Sequence, residues 1–400
     1  MARKETKRQT KMVRPDFLWT KAVRGFKLEC ARRRTIRRMA ARGRFFERMK
    51  KEGASMDIEI IEPRELLDSD GRITKEGWAR QPYWRYDRSK IKAPWWRIKE
   101  WDYYAILSHD GKYGVTMTIS DLGYIGLDAL CFLDFERGFS SSADTLVAFP
   151  RHRTGLSPNS DTGAVSFRDA KLAVRYEYTP GRRLLEFEAP GVRNAQGEQG
   201  LKGSVVLSQP ESLESLNIAT SWAENRRAFY YNRKINCMPA EGSFTIGSTK
   251  YDFDPKRDFG ALDWGRGRWT YKNRWYWGSA SGYVGGHAFG WNIGYGFTDR
   301  TPASENVLFY DGKAHKLDEV TFHIDTSDYS RPWRFTSSDG RFEMDFEPVV
   351  DRSSNTNLGI IKSDQHQVFG YFTGSAILDD GKKLELNRFL GFAEDVLNWY

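Results

Sequence analysis

His287-Ala-Phe-Gly-Trp-Asn-Ile-Gly-Tyr-Gly-Phe297 decides the reading of this chain. Odd positions carry His287, Phe289, Trp291, Ile293, Tyr295 and Phe297, while even positions carry Ala288, Gly290, Asn292, Gly294 and Gly296. Successive strand residues point to opposite faces of a sheet, so one face is a wall of rings and the other nearly bare backbone. Glycine weakens a strand and is retained where another backbone, sheet or ligand must come close. Such asymmetry suits a curved antiparallel sheet closing on itself, with bulky residues filling or lining its interior.

Outward from this stretch the punctuation stays that of β structure. Trp101–Ser108 and Tyr113–Ser120 flank His109-Asp110-Gly111-Lys112, a hairpin signal because Asp-Gly tolerates the positive φ of a tight turn. Asp-Gly recurs at 311–312, 339–340 and 380–381, and Lys171–Tyr178 and Arg183–Glu188 turn at Pro180-Gly181. Further strand-like runs are Ser243–Ile246, Trp275–Ser279, Thr321–Ile324, Phe342–Glu347, Val368–Ala376 and Lys383–Leu390. No helical period is sustained, so the body is all-β. It is too long for one small barrel, and two β units, 57–240 and 241–400, fit the usual domain size. Met238-Pro-Ala-Glu-Gly242 marks the expected boundary, and 190–203, rich in glycine, reads as a mobile surface loop.

The net charge of +9 divides unevenly. Residues 1–55 hold 19 Lys or Arg against 5 Asp or Glu, and the remainder 43 against 48. The body is therefore mildly acidic, which removes the main support for nucleic-acid binding. The basic extension could form a helix over 17–51, with Ile36, Met39, Phe46 and Met49 at roughly helical spacing. Peripheral membrane contact, nucleic-acid binding and targeting compete there with a disordered or non-native leader, which is the favoured expectation because composition changes abruptly at Met56. Cys30, Cys131 and Cys237 are odd in number, far apart and without zinc spacing. With no long apolar run and no secretory signal, the expected location is cytoplasmic.

Four runs identify a resemblance. Phe229-Tyr-Tyr-Asn-Arg-Lys-Ile-Asn-Cys-Met-Pro239, Asp263-Trp-Gly-Arg-Gly267, Gln365-His-Gln-Val-Phe-Gly370 and Gly391-Phe-Ala-Glu-Asp-Val-Leu-Asn398 resemble the bacterial family called domain of unknown function 2804, from about residue 58 to the C-terminus. That family is similar, more distantly, to proteins with two tandem lipocalin-like barrels, among them carotenoid hydratases and tocopherol cyclase. The resemblance implies two tandem lipocalin-like antiparallel barrels or sandwiches and a taste for apolar ligands. It supplies no catalytic residues.

Those must come from the residues themselves. In Asp263-Trp264-Gly265-Arg266-Gly267 the flanking glycines let the backbone turn, leaving Arg266 to fork onto a carboxylate or phosphate. Asp263 could orient Arg266 or act as a base, and an internal Asp–Arg pair closing a barrel corner is the structural alternative. His287 and His366 are potential proton donors in an apolar cavity, although a lone histidine on such a face is more often hydrogen-bonded core. Asn292, the one polar residue on the bare face, and Glu305 could anchor a ligand, as could Tyr231 and Asn232, with Trp264 and Trp277 as ring walls. No histidine spacing suits a metal, no phosphate loop or dinucleotide fingerprint is present, and Gly278-Ser-Ala-Ser-Gly282 has Ala280 where a hydrolase elbow needs serine. No cofactor is expected.

Three functions follow. The first is a binding protein enclosing a lipophilic small molecule in a barrel cavity. The second is a cofactor-independent hydratase, isomerase or cyclase acting on an isoprenoid or polyene-like substrate, with Asp263 or His366 moving a proton. The third is an interaction protein with solid barrels.

Overall fold

The computed structural model describes residues 57–108, 110, 112–357, 359 and 361–399. The roles weighed for residues 17–51 lie outside the described residues, as does Cys30. Two antiparallel sheets dominate, and both are curled into half-barrels. The helices among the described residues are two short 3-10 turns, Arg88–Lys90 and Trp95–Arg97. Among the described residues no helix is long and apolar enough to cross a membrane.

The first sheet runs, in bonded order, Phe139–Ala148, Ile125–Asp134, Tyr113–Asp121, Ile98–Leu107, Phe259–Arg268, Asn225–Ile246, Gln199–Ser208, Arg182–Arg193, Ala173–Thr179 and Gly163–Arg168. Three shorter strands, Gly77–Ala79, Leu216–Trp222 and Thr249–Phe253, pair beside it. The late strand Phe259–Arg268 returns to pair with the early strand Ile98–Leu107, and the open seam falls between Phe139–Ala148 and Gly163–Arg168.

The second sheet repeats this plan. Its order is Lys313–Lys316, Val307–Tyr310, His287–Tyr295, Lys272–Val284, Lys383–Trp399, Lys362–Ile377, Phe342–Asn357, Trp333–Ser337 and Val320–His323. Its first and last strands, Lys272–Val284 and Lys383–Trp399, pair with each other, and its seam lies between Lys313–Lys316 and Val320–His323. Position 240 sits inside Asn225–Ile246, and the change of sheet falls between Arg268 and Lys272. Both sheets belong to one compact unit, Met56–Tyr400.

Period-2 alternation explains how the two sheets meet. Along Ile98–Leu107, Tyr104 and Ile106 point into the first sheet, while Tyr103, Ala105 and Leu107 point outward to Trp277, Phe369, Leu390 and Phe392 of the second. The strand is therefore buried on both faces. His287–Tyr295 behaves likewise. Phe289, Trp291 and Ile293 enter the second sheet's core, and a Cβ added at Gly290 would lie 2.8 Å from Cys237 Sγ of the first sheet. At Gly290 the bare face is where the neighbouring sheet comes close.

Segment 190–203 departs from the loop expectation. Strand Arg182–Arg193 continues through a bulge after Ala189, Gln199–Ser208 begins the return, and only 194–198 turn. Asn194 closes that turn by accepting Glu198 N–H on its side chain at 3.0 Å. Proline and glycine here mark a bulge in a hairpin, where unpaired backbone tolerates them.

Candidate functional site

Four strands bring their outward-facing residues together where the sheets meet. Asn225–Ile246 contributes Tyr230, Asn232 and Lys234, and Phe259–Arg268 contributes Asp263. Lys272–Val284 adds Trp275 and Trp277, and Lys383–Trp399 adds Glu394. Lys234 Nζ lies 2.8 Å from Asp263 Oδ2 and 3.9 Å from the centre of the Trp277 ring. Asn232 Nδ2 donates to Asp263 Oδ1 at 2.5 Å. The Trp277 indole N–H donates to Asn292 Oδ1 at 2.7 Å, and Asn292 Nδ2 to the Glu305 carbonyl at 2.8 Å. Glu394 accepts from Gln367 Nε2 at 2.6 Å and from the Trp275 indole at 3.3 Å, while Gln367 also reaches the Tyr103 hydroxyl at 3.0 Å.

Charge balance sets the chemistry. Lys234 faces three carboxyls, those of Asp263, Glu305 and Glu394, and ion-pairs with the first. Lys316, a second cation felt by Glu305, is itself paired with Asp57 at 3.3 Å. Burial, only partly offset by Lys234, pushes Glu394 up to about 7. Burial likewise raises Glu305, whose carboxyl is hydrogen-bonded with the Tyr230 phenol. Around these groups stands a ring wall. Trp269 packs 5.6 Å from Trp101, 5.7 Å from Trp222, 5.7 Å from Trp275 and 5.0 Å from Phe297, and Tyr230 packs 4.9 Å from Phe297.

Two cavities lie between the sheets, and the inward-facing side chains of each sheet pack into a core cluster. A cleft of about 170 Å³ is lined by Leu107, Ser281, Tyr283, Arg388 and Leu390. It shares Leu107 and Ser281 with a void of about 10 Å³ that reaches Ala261, Ser279 and Phe392. Phe392 in turn touches Trp277, with ring centres 4.9 Å apart. The cleft thus opens at exposed Arg388, and the rings of Phe392 and Trp277 stand between it and the Lys234–Asp263 pair.

Of the residues singled out by sequence, Asp263, Asn232, Asn292, Trp277 and Glu305 converge here. Arg266, Trp264 and Tyr231 do not, because they face into the first sheet. Arg266 pairs with Asp102 at 2.9 Å and lies 4.0 Å over the Trp264 ring, and Tyr231 donates to the Trp84 carbonyl at 3.1 Å. The expected pairing of Asp263 with Arg266 is thereby corrected: three positions apart on one strand, they point to opposite faces.

His287 is half-exposed at a strand end, 2.6 Å from Asp311. His366 lies on the second sheet's inner face near its end, stacked 3.7 Å from Tyr329 with Nδ1 2.8 Å from Asp351. Neither reaches the cleft. Lys234, Glu394, Gln367 and Tyr103 escaped the sequence reading. The available signal was a charge inside an apolar strand, Glu394 in Leu-Gly-Phe-Ala-Glu-Asp-Val-Leu.

A family model described as domain of unknown function (DUF2804) matches residues 57–400. No curated protein matches the chain. Among solved structures 14 chains match. CghA with Sch210972 is 13% identical, with 76% of this chain and 88% of that chain covered, at a TM-score of 0.47. An AttH-like protein from Nitrosomonas europaea is 13% identical over 75% and 92% of the two chains, at 0.47. Kievitone hydratase from Nectria haematococca is 12% identical over 75% and 88%, at 0.45. Likeness of this degree says nothing about chemistry in this chain.

Proposed function

This chain belongs to the DUF2804 family, and we propose that it is a cofactor-independent acid–base enzyme acting on a small, largely apolar unsaturated molecule between its two sheets. The observation that carries this reading is a buried, ring-walled cluster in which three carboxyls share Lys234 and burial lifts Glu394 to about 7, so that it holds its proton part of the time near neutrality. A carboxylic acid of that strength can give a proton to an alkene or carbonyl at working pH. The faces of Trp275 and Trp277 would stabilise the cation that forms, as the Trp277 face already does for the Lys234 ammonium. Asp263, held by Asn232 and Lys234, would take a proton from an attacking water or from the neighbouring carbon. Hydration and double-bond migration both fit.

Binding without turnover is the second reading. It is favoured by the partners that Asp263, Asn292 and Glu394 each find within the site, although Asn232 Oδ1 is left without one.

Mass spectrometry of small molecules extracted from purified wild-type and Glu394→Gln protein separates the two. Catalysis predicts that the variant accumulates an unprocessed compound, isomeric with the wild-type extract or differing from it by one water. The same compound in both proteins leaves binding alone, and no lipophilic compound in either overturns both readings.

A further inference from the structure

The loop 149–162 crosses the seam that the first sheet leaves open, and no strand interrupts its length. A 14-residue connection among tight turns calls for a reason. Its start is strained: Phe149, Arg151 and His152 adopt φ of +51°, +51° and +66°, which side chains with a Cβ disfavour. Its end is held by arginines from inside the sheet. Arg183 and Arg233, both fully buried, occupy inward-facing strand positions, which is unusual for so large a charge.

Two guanidinium groups there share one carboxylate, and the loop supplies it. Asp161 Oδ1 lies 2.5 Å from Arg233 Nη1 and 3.9 Å from Arg183 Nη2. Ser160 adds its hydroxyl to Arg233 at 2.8 Å and its carbonyl to Arg183. Gln209 and the Tyr104 hydroxyl complete Arg183, at 2.8 and 3.2 Å, and Ser215 completes Arg233 at 3.2 Å. Both arginines are thus held by residues of the sheet and met by Ser160 and Asp161 of the loop. Asp161 itself remains 42% exposed. Deeper in, beside Tyr104 at a ring distance of 4.9 Å, the Tyr176 hydroxyl is fully buried and has no hydrogen-bond partner.

We propose that Arg183 and Arg233 form a binding site for a compact anionic group, a carboxylate or phosphate, which Asp161 occupies as an internal ligand. Paired planar forks held by the sheet match such groups bidentately. The half-exposed aspartate imitates the ligand, and the left-handed backbone at 149–152 favours the loop's release once an outside anion takes over. The site faces away from the Glu394 cleft, because Arg233 and Lys234 are successive residues on opposite strand faces, so it stands apart from the acid–base reading.

Titration calorimetry of the full chain with inorganic phosphate and, separately, with hexanoate tests this. Removing the tethered competitor by Asp161→Asn is expected to tighten at least one of the two anions tenfold or more, since a tethered group competes at millimolar or higher effective concentration. The gain should vanish in Asp161→Asn with Arg233→Gln. The basic residues 1–55 are common to all three proteins, so their background binding cancels. If the double variant does not fold, phosphate should still raise the melting temperature of Asp161→Asn above that of wild type at matched chloride ionic strength. An Asp161→Asn protein of native circular dichroism that gains affinity for neither anion overturns the proposal. The anion that gains more identifies the ligand's head group.

Discussion

Replacing Glu394 with glutamine should reverse the sign of its effect on stability between acid and mildly alkaline pH. An ordinary glutamate titrates at 4.5, and burial raises this one to about 7 in the folded protein. The folded state therefore holds the proton more tightly than the unfolded chain. Stability falls as pH rises through the window from 4.5 to about 7, with no penalty below it and the full penalty above it. At about 1.4 kcal/mol per pH unit, that window amounts to about 3 kcal/mol. Glutamine cannot ionise and escapes the penalty. Its amide NH2, however, must face either the Gln367 or the Trp275 donor, a mismatch of about 1 kcal/mol at every pH. The variant should thus be about 1 kcal/mol less stable than wild type near pH 4.5 and about 2 kcal/mol more stable at pH 8. Urea denaturation followed by tryptophan fluorescence from pH 5 to 8 measures the difference directly, and other titrating groups cancel between the two proteins. Parallel profiles with a constant offset would refute the idea that Glu394 folds in its protonated form.

Gly290→Ala is expected to lose about 1–3 kcal/mol, the usual range for overpacking, because its Cβ would sit 2.3 Å from the Ala280 carbonyl and 2.8 Å from Cys237 Sγ. An unchanged urea midpoint would show that the sheets do not meet there. Arg266→Met should cost about 3–5 kcal/mol by stranding Asp102, with much of that recovered when Asp102→Leu is added. Equal loss in the single and double variants, by the same denaturation assay, would contradict a buried pair.

Much of the architecture was legible locally. The expected runs Trp101–Ser108, Tyr113–Ser120, Phe342–Glu347 and Val368–Ala376 lie almost wholly within observed strands, and the ring and glycine faces of 287–297 separate as alternation requires. Misreadings arose where one local sign has two causes. Pro190 and Gly191 marked a bulge rather than a loop, and 238–242 marked an irregularity in a long strand that carries a bulge between Ile235 and Met238. For the site, residue type pointed to Asp263, Asn232, Asn292, Trp277 and Glu305, but their partners stayed hidden.

Side-chain direction along one strand is a short-range property, set by backbone geometry, so the sequence alone determined the strands and which residues share a face. Which of those faces meets another sheet is decided by contacts between strands far apart in the chain. Only tertiary structure could therefore join Asp263 to Lys234 rather than to Arg266, bring Glu394 into their field, and leave a cleft between the two half-barrels. The acidity of Glu394 follows from that burial and from its distance to a single cation, and neither exists until the sheets have packed.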